Sequence, residues 1–273
     1  MPLPTSGQLS MSDIATEFGG TQPDSLSEYY NRGNVPSSGQ ISIGDFYGQG
    51  ALSAVHLGTL TDTSDMIYSG TVNASSLTTN DGIVVCGTAE SYSGTQTFTV
   101  NGTAVTVRVV NTPVQNPPQY CGVYLGSISQ ATAGMAGDST LTVAQVTNPG
   151  AGQSFRAGCA VFRLVNAGIH NVFSGGTSIS EVSASGPRSI SRPVTASSEQ
   201  IIFVAAHCGQ DAGTTATLST NNGTMTRYEG VSEPQGSGEF AVITGATNPT
   251  VTWTTTYSGA TQGMALACVV YGY

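Results

Sequence analysis

The chain has no lysine, and charged residues of every kind are scarce. Its 273 residues include seven arginines and 16 acidic residues, so only 8% are charged and the formal net charge is −9. An average soluble domain has about 25% charged residues. No basic cluster is present that could neutralise phosphates, so we expect no nucleic-acid binding. The scarcity of charge also indicates contact with other proteins, because interface cores are depleted in charge.

Long apolar runs and a leader sequence are also missing. The apolar runs are much shorter than the roughly 20 residues that a membrane-spanning helix needs, so we expect no membrane insertion. The N-terminus lacks the charged, apolar and cleavage-site regions of a signal peptide. We therefore expect the protein to be assembled in a cytoplasm.

The five cysteines form no C-x-x-C pair, and their number is odd. An odd number argues against a complete disulfide framework. Each cysteine lies instead within an apolar run, which predicts buried free thiols that pack as small hydrophobic side chains. This usage is typical of a reducing compartment. The cysteines are Cys86, Cys121, Cys159, Cys208 and Cys268.

No catalytic or metal-binding pattern appears. The histidines, His56, His170 and His207, are isolated in or beside apolar runs and form no pair with metal-ligand spacing. His207 and Cys208 are neighbours on a predicted strand, so their side chains point to opposite faces and cannot form a base–nucleophile pair. The sequence has no G-x-S-x-G elbow and no phosphate-binding loop. We expect no enzymatic activity, no catalytic residue, no metal and no cofactor.

The chain is rich in glycine, threonine and serine, which separate short β-type runs. With 35 glycines and no long helical pattern, it is typical of an all-β protein with tight turns. The cysteine-bearing runs are almost continuously apolar, which predicts central strands covered on both faces. Asn101-Gly102 predicts a tight hairpin, and Asn222-Gly223 predicts a looser one. No strand is predicted between Val165 and Ser189.

These patterns predict the fold class and the division of the chain. We predict a mainly β protein whose residues 51–273 form an antiparallel two-sheet β-sandwich, jelly-roll-like in the general sense. A small N-terminal segment of short helices precedes it at residues 1–50.

The N-terminal segment contains a repeat. Residues Pro4–Ile14 return 32 positions later as Pro36–Phe46, and six of the eleven positions are identical. The centre of the unit appears a third time as Ser25–Tyr29. In each copy a serine is followed three residues later by an acid, which is the spacing of a helix capping box. We predict three short helices, each ended by glycine, with the caps Ser10 and Asp13, Ser25 and Glu28, and Ser42 and Asp45.

Each predicted helix carries apolar residues three or four positions apart, which places them on one face. Helices this short are not stable alone, because even ~12 residues are marginal, so another surface must cover these faces. The helices either pack on the chain's own C-terminal neighbour or dock on a partner protein, and we favour docking. The predicted partner-docking residues are Met11, Ile14, Phe18, Leu26, Tyr29, Tyr30, Ile43, Phe46 and Tyr47.

The N-terminal segment resembles one found in structural proteins of tailed bacteriophages. The residues that carry the resemblance are Leu3–Ile14, Thr16–Gly20, Ser25–Tyr30 and Ile41–Gly48, with Gly44 where the pattern usually has serine. The rest of the chain is more loosely similar, in its Gly/Thr/Ser-rich strands, to the β-sandwich domains of phage virion proteins. The resemblance implies a virion protein assembled in the host cytoplasm.

The resemblance and the missing catalytic pattern together predict a non-enzymatic structural component of a tailed phage virion. Residues 1–50 would dock on the particle and the β-sandwich would project, as in a tail fibre, a minor tail protein or a receptor-contacting protein. A receptor-contacting protein should expose aromatic residues at loop tips. Tyr92, Tyr228 and Tyr257 are candidates, and each equally fits an ordinary aromatic residue at a strand end. Two alternatives stay open: a head decoration protein of the capsid, and a carbohydrate-binding β-sandwich module.

The expected partners follow from this prediction. They are other virion proteins of the tail or the capsid, further copies of the chain, and a host-surface receptor or glycan. Virion projections are commonly symmetric homo-oligomers, and a trimer is the expected state.

Overall fold

The computed structural model describes residues 3–4, 6–20, 25–30, 35, 38–46, 50, 52–62, 69–75, 77–91, 97–111, 121–129, 131, 134–137, 140–146, 154–167, 173–181, 188–209, 216–233, 236–255 and 263–272. Helix α1 (Met11–Phe18) and two 3₁₀ turns (Leu26–Tyr29 and Ile43–Phe46) come first. Within the described ranges, no helix has the length and apolar character needed to cross a membrane.

The remaining elements are strands. They are β1 (Ser53–Asp62), β2 (Ser69–Asn73), β3 (Gly82–Ser91), β4 (Thr97–Val100), β5 (Thr103–Ala104), β6 (Thr106–Asn111), β7 (Cys121–Ile128), β8 (Thr140–Val146), β9 (Ser154–Val165), β10 (Phe173–Glu181), β11 (Arg188–Pro193), β12 (Ile201–Gly209), β13 (Ala216–Thr220), β14 (Thr224–Glu233), β15 (Gly236–Thr244), β16 (Thr250–Thr255) and β17 (Met264–Tyr271).

The described strands form four antiparallel sheets, which stack into two sandwiches. The first sandwich has the five-stranded sheet β1-β9-β3-β7-β6 and the smaller sheet β2-β8-β4-β5. The second has the five-stranded sheet β10-β17-β12-β15-β14 and the smaller sheet β11-β16-β13. Each sandwich has an apolar core of its own, and a further core lies between the two five-stranded sheets. We call the five-stranded sheets inner and the others outer.

The predicted antiparallel β-sandwich after short N-terminal helices is confirmed, and the chain contains it twice. Exchanging β1, β9, β3, β7 and β6 for β10, β17, β12, β15 and β14 converts one inner sheet into the other. In the same way, β2-β8-β4 corresponds to β11-β16-β13. Eight strands shared between two facing antiparallel sheets form a jelly roll. The second sandwich has eight described strands, and the first has their eight counterparts and the short β5 in addition, so the molecule has two jelly rolls of equal topology.

An approximate two-fold axis relates the two sandwiches. β6 contacts β10 and β1 contacts β14, and these two pairs exchange when each strand is replaced by its counterpart. The two inner sheets also face each other with equivalent ends on the same side. Gly82 of the first sandwich lines a small pocket together with Phe173 and Tyr271 of the second, and we call this the near end. At the far end, a Cβ added to Gly238 would lie 2.8 Å from Thr88 Oγ1 and 3.4 Å from His207 Cδ2. The axis therefore runs along the strands.

The cysteine-bearing runs occupy the positions that their apolar character predicts. β3, β7 and β9 are interior strands of one inner sheet, and β12 and β17 are interior strands of the other. Four cysteines are buried in the apolar cores, as predicted: Cys86, Cys159, Cys208 and Cys268. The side chain of Cys121 lies outside the described residues. A strand that is covered on both faces has no alternating pattern, because both of its faces contact a core.

The hairpin prediction at Asn101-Gly102 is confirmed. Both residues have positive φ, 46° and 78°, as a two-residue hairpin turn of this type requires. The looser hairpin predicted at Asn222-Gly223 is wrong, because β13 and β14 belong to different sheets. Asn222 instead bonds to Thr247, accepting from its N–H at 3.1 Å and donating to its carbonyl at 3.2 Å.

Strand β10 is missing from the prediction. Its Ser-Gly-Gly-Thr-Ser run has no apolar alternation, but it pairs with β17 along its length. A Cβ at Gly176 would lie only 2.3 Å from Val109 Cγ2, so glycine is needed where β10 approaches β6 of the other sandwich. Tertiary contact, and not local propensity, makes this segment a strand.

Candidate functional site

The repeat of the N-terminal segment is visible in its backbone. Gly7 and Gly39, at equivalent positions of the two long copies, have φ values of 101° and 97°. Each precedes a helical turn that begins after a capping serine. The hydroxyl of Tyr30 donates to the carbonyl of Gly39, which joins the middle copy to the last one. We call the described part of residues 3–46 the N-terminal module.

The predicted capping boxes are present at α1 and at the first 3₁₀ turn. Ser10 Oγ accepts from the Asp13 N–H at 3.2 Å, and the Asp13 carboxylate accepts from the Ser10 N–H at 2.8 Å. The Ser10 hydroxyl also donates to this carboxylate, at 2.7 Å, and the two bonds that the carboxylate accepts, from the Ser10 hydroxyl and then from the Ser10 N–H, lower the pKa of Asp13. Ser25 and Glu28 form the second box. At the third turn the Asp45 carboxylate accepts from the N–H of Ser42 at 2.6 Å, and the Ser42 hydroxyl donates to the same carboxylate.

The module has an aromatic core of its own. The fourth residue after each capping serine is buried, namely Ile14, Tyr29 and Phe46. Together with Phe18, the two aromatic residues form ring contacts with centroid distances of 6.4, 6.2 and 5.9 Å, within the usual range for aromatic pairs. The helical pieces therefore cover one another's apolar faces.

The predicted docking residues differ in their exposure. Ile14, Phe18, Tyr29 and Phe46 are at most 7% exposed, so they cannot contact a partner while the module is folded. Of the other predicted docking residues, Ile43 is 37% exposed, whereas Met11, Leu26 and Tyr30 are partly buried. Tyr47 lies outside the described residues. A docking role for the module stays a prediction, and the described residues with enough exposed surface for it are Ile43, Met11, Leu26 and Tyr30.

The module lies at the near end of the sandwiches. Gly50 precedes β1, and a Cβ at Gly50 would lie 2.5 Å from Asn166 Nδ2 and 3.4 Å from Glu17 Oε1. β1 begins opposite the last residue of β9. β1, β3, β6 and β8 all end at the far end, and so do their counterparts in the second sandwich.

The described histidines do not form a reactive site. His56 on β1 packs between Phe162 and Tyr228, with ring centroids 5.2 and 4.2 Å away, and burial lowers its pKa. His207 on β12 is fully buried, and burial lowers its pKa to about 4. Cys208 points into the core of the second sandwich, on the opposite face from His207. His170 lies outside the described residues, and within these no three His, Cys, Asp or Glu side chains are placed to hold a metal ion.

The aromatic residues predicted at loop tips give one correction. Tyr228 lies within β14, partly buried against His56 and Phe162, so it is not a loop-tip residue. Tyr92 and Tyr257 lie outside the described residues.

Two buried acids have structural partners. Asp81 forms an ion pair of 2.9 Å with Arg163 and accepts from the Thr78 N–H at 2.7 Å. Glu239 forms an ion pair with Arg227 and accepts from the N–H of Leu218 at 2.8 Å. The two acids belong to different sandwiches. Each is committed to hydrogen bonds that tie strand ends or sheets together.

An open groove lies at the near end of the second sandwich, between β10 and the end of β11. Its volume is about 470 Å³. Arg192 donates through Nε to Thr177 Oγ1, and Gln200 Nε2 donates to Ser174 Oγ at 3.0 Å. Sequence reasoning missed this groove, although one signal was available: Arg192 takes an inward position of β11 where the alternation of Ile190 and Val194 calls for an apolar residue.

Comparison with known proteins identifies no family. No protein-family model matches the chain, and no curated protein matches it in sequence. Among solved structures, the crystal structure of a conserved protein of unknown function from Pseudomonas aeruginosa PAO1 is similar at 10% identity and a TM-score of 0.23. That match covers 81% of this chain and 82% of the other. A similarity this low supports no conclusion about function.

Proposed function

We propose that the chain is a non-enzymatic structural protein of a tailed phage virion, in the tail fibre, minor tail or receptor-contacting class. The N-terminal module attaches it to the particle, and the two sandwiches project. The observation that carries the proposal is the division of the molecule into two ends. The module has a separate core and lies at the near end, while the strand ends at the far end point away from it.

Further support comes from the composition of the chain and from the surface of the module. The resemblance to phage structural proteins is confined mainly to the segment that forms the module. Only 8% of the residues are charged, and because interface cores are depleted in charge, this composition supports contact with neighbouring proteins. Ile43 is one of the few large apolar side chains that the described residues expose, and it lies on the last turn of the module.

The test is removal of residues 1–48 from the chain in an infecting phage. We expect the shortened protein to fold, because no buried residue of the module belongs to a sandwich core. It should no longer co-purify with particles. Circular dichroism of the purified protein is the control for folding. Retention on the particle by a folded, shortened protein would contradict the proposal.

Immunogold labelling of particles that carry the full chain then gives its location. Label on the tail supports the proposed class. Label distributed over the head would instead identify a decoration protein.

A further inference from the structure

The equal topology of the sandwiches allows each position to be compared with its counterpart. The turns before β3 and β12 have the same hydrogen bonds. Asp81 donates to the Thr78 carbonyl and accepts from its N–H, and Gln200 does the same with Ser197. Asp81 and Gln200 are therefore equivalent, which aligns the two inner sheets.

This alignment makes Gly58 on β1 the counterpart of Thr177 on β10. Val85 and Val204, each four residues after the aligned turns, pair with Val161 and Cys268. On the next strand, these partners pair with Gly58 and Thr177 respectively.

Val72 and Arg192 are counterparts in the outer sheets. Each is the second-last residue of its strand, β2 or β11, and the residue two positions later, Ala74 or Val194, is buried in both sandwiches. A Cβ at Gly58 would lie 2.9 Å from Val72 Cγ1, and Thr177 bonds to Arg192. The same position thus has an apolar contact in one sandwich and a charged, hydrogen-bonded pair in the other.

The two copies differ in shape as well as in polarity. In the first sandwich Val72 is 4% exposed, and the partly buried Leu57 and Leu60 pack against the same core. In the second sandwich the groove is open, and a Cβ at Gly175 would have no atom within 4 Å.

Packing does not explain Arg192. A partly buried guanidinium loses hydration, and an ion pair is the usual compensation. Arg192 makes no ion pair in the described part of the chain. Among the described residues, its Nε–H bonds to Thr177 and its two NH₂ groups have no partner, which leaves them for a ligand.

We propose that this groove binds a sugar that carries a carboxylate. Arg192 suits the carboxylate because its planar fork matches two oxygens. Ser174, Thr177 and Thr195 line the same groove and offer hydroxyl groups to sugar hydroxyls. Arg192 is the one charged residue among the described residues that line the groove, and the chain has a net charge of −9. Both facts favour a ligand with a single carboxylate over a phosphate dianion. The proposed site is argued from the geometry of the groove alone. Only the identification of the sugar as part of a host-surface glycan rests on the proposed function.

The test uses the full chain, with glucuronic acid as the probe and glucose as its neutral match. Binding is measured by titration calorimetry or ligand-observed NMR for the wild type and two charge-matched variants, Arg192→Gln and Arg188→Gln. Arg188 lies on the same strand β11, but it does not line the groove. We expect saturable glucuronate binding that weakens about 10-fold or more in Arg192→Gln, since a hydrogen bond to a charged group is lost. Arg188→Gln should bind as the wild type does, and glucose should bind at least 10-fold more weakly.

A second variant, Arg192→Val, gives the second sandwich the residue type that the first has at the equivalent position, Val72. It should remain folded, as judged by its thermal midpoint, and lose glucuronate binding. The proposal is overturned if the wild type shows no saturable binding, if Arg192→Gln binds normally, or if inorganic phosphate or a polyglutamate peptide binds more tightly than glucuronate. The deletion of residues 1–48 tests attachment to the particle, and the Arg192 variants test glucuronate binding. Either proposal can therefore fail without the other.

Discussion

Among single residues, two polar side chains stand out because they are buried between the inner sheets. Thr88 and His207 each lie seven residues after an aligned turn, so they are equivalent. Both are fully buried, and their side-chain polar atoms have no hydrogen-bond partner among the described residues. An unpaired polar group in such a place is destabilising. For His207 the neutral form is strongly preferred in the folded protein.

This preference makes stability depend on pH. Since the pKa of His207 is about 4 in the folded protein and about 6.5 when exposed, the unfolded chain binds more protons between these values. Stability should therefore fall as pH decreases from 6.5 to about 4, by up to roughly 3 kcal/mol from this residue. Urea unfolding at several pH values should show a smaller decrease for His207→Leu than for the wild type. Equal pH dependence of the two proteins would contradict the assignment to His207.

The contact between β10 and β6 can be tested with two neighbouring glycines. A Cβ at Gly176 would lie 2.3 Å from Val109 Cγ2, whereas a Cβ at Gly175 would meet nothing within 4 Å. We expect Gly176→Ala to lower the free energy of unfolding by about 1–3 kcal/mol, as overpacking does. Gly175→Ala should have little effect. Chemical denaturation measures both, and the same loss for both variants would show that backbone freedom, and not this contact, is the cause.

Among the helices and strands, what the sequence predicts well depends on local chemistry. The spacing of Ser10 and Asp13 predicts a cap because both groups bond within one turn. The cysteine-bearing runs predict interior strands because a strand buried on both faces must be apolar throughout. The spacing shows that Ile14 and Phe46 share a face with other apolar residues, but not which surface covers that face, so their burial within the module could not be predicted. β10 was missed because its residues show no apolar alternation, and only its pairing with β17 and its contact with β6 make it a strand.

The separate core of the N-terminal module can be tested with two substitutions on the 3₁₀ turn Ile43–Phe46. Phe46→Ala removes a fully buried ring and should cost the module about 3–5 kcal/mol. Ile43→Ala removes an exposed side chain and should leave stability unchanged. Hydrogen exchange should show faster exchange of residues 10–46 in Phe46→Ala and no change in the sandwiches. Faster exchange throughout the strands would mean that the module and the sandwiches are one folding unit.

The same pair separates folding of the module from attachment. If Ile43 contacts the particle, Ile43→Ala should co-purify with particles less than the wild type does, although its module stays folded. Quantitative blotting of purified particles measures this. Normal attachment of Ile43→Ala would move the docking surface to another part of the module.

For the molecule as a whole, the main feature is a duplication that the sequence conceals. Equivalent positions carry unlike residues: Asp81 and Gln200, Thr88 and His207, Val72 and Arg192. A jelly-roll core requires apolar side chains of suitable volume and not particular ones, so two copies can lose their identity and keep their topology. The groove was missed for the same reason, since Arg192 is unusual only in comparison with Val72.

The shared core between the inner sheets should make the two sandwiches unfold together. Trp253, the only tryptophan, is buried in the core of the second sandwich. Phe98 is buried in the core of the first. Phe98→Ala should lower the thermal midpoint reported by Trp253 fluorescence as much as the midpoint reported by circular dichroism. The exposed Val110→Ala is the control. A tryptophan midpoint that stays at the wild-type value would show independent sandwiches.

The approximate two-fold axis along the strands also affects how an assembly would look. Each chain contributes two lobes of similar size and equal topology, side by side about that axis. A ring of three chains viewed along the strands would therefore present six similar lobes, and at low resolution its image would appear hexagonal. Counting lobes would then overestimate the number of chains by a factor of two. The N-terminal module, present once per chain, is the feature that gives the true count.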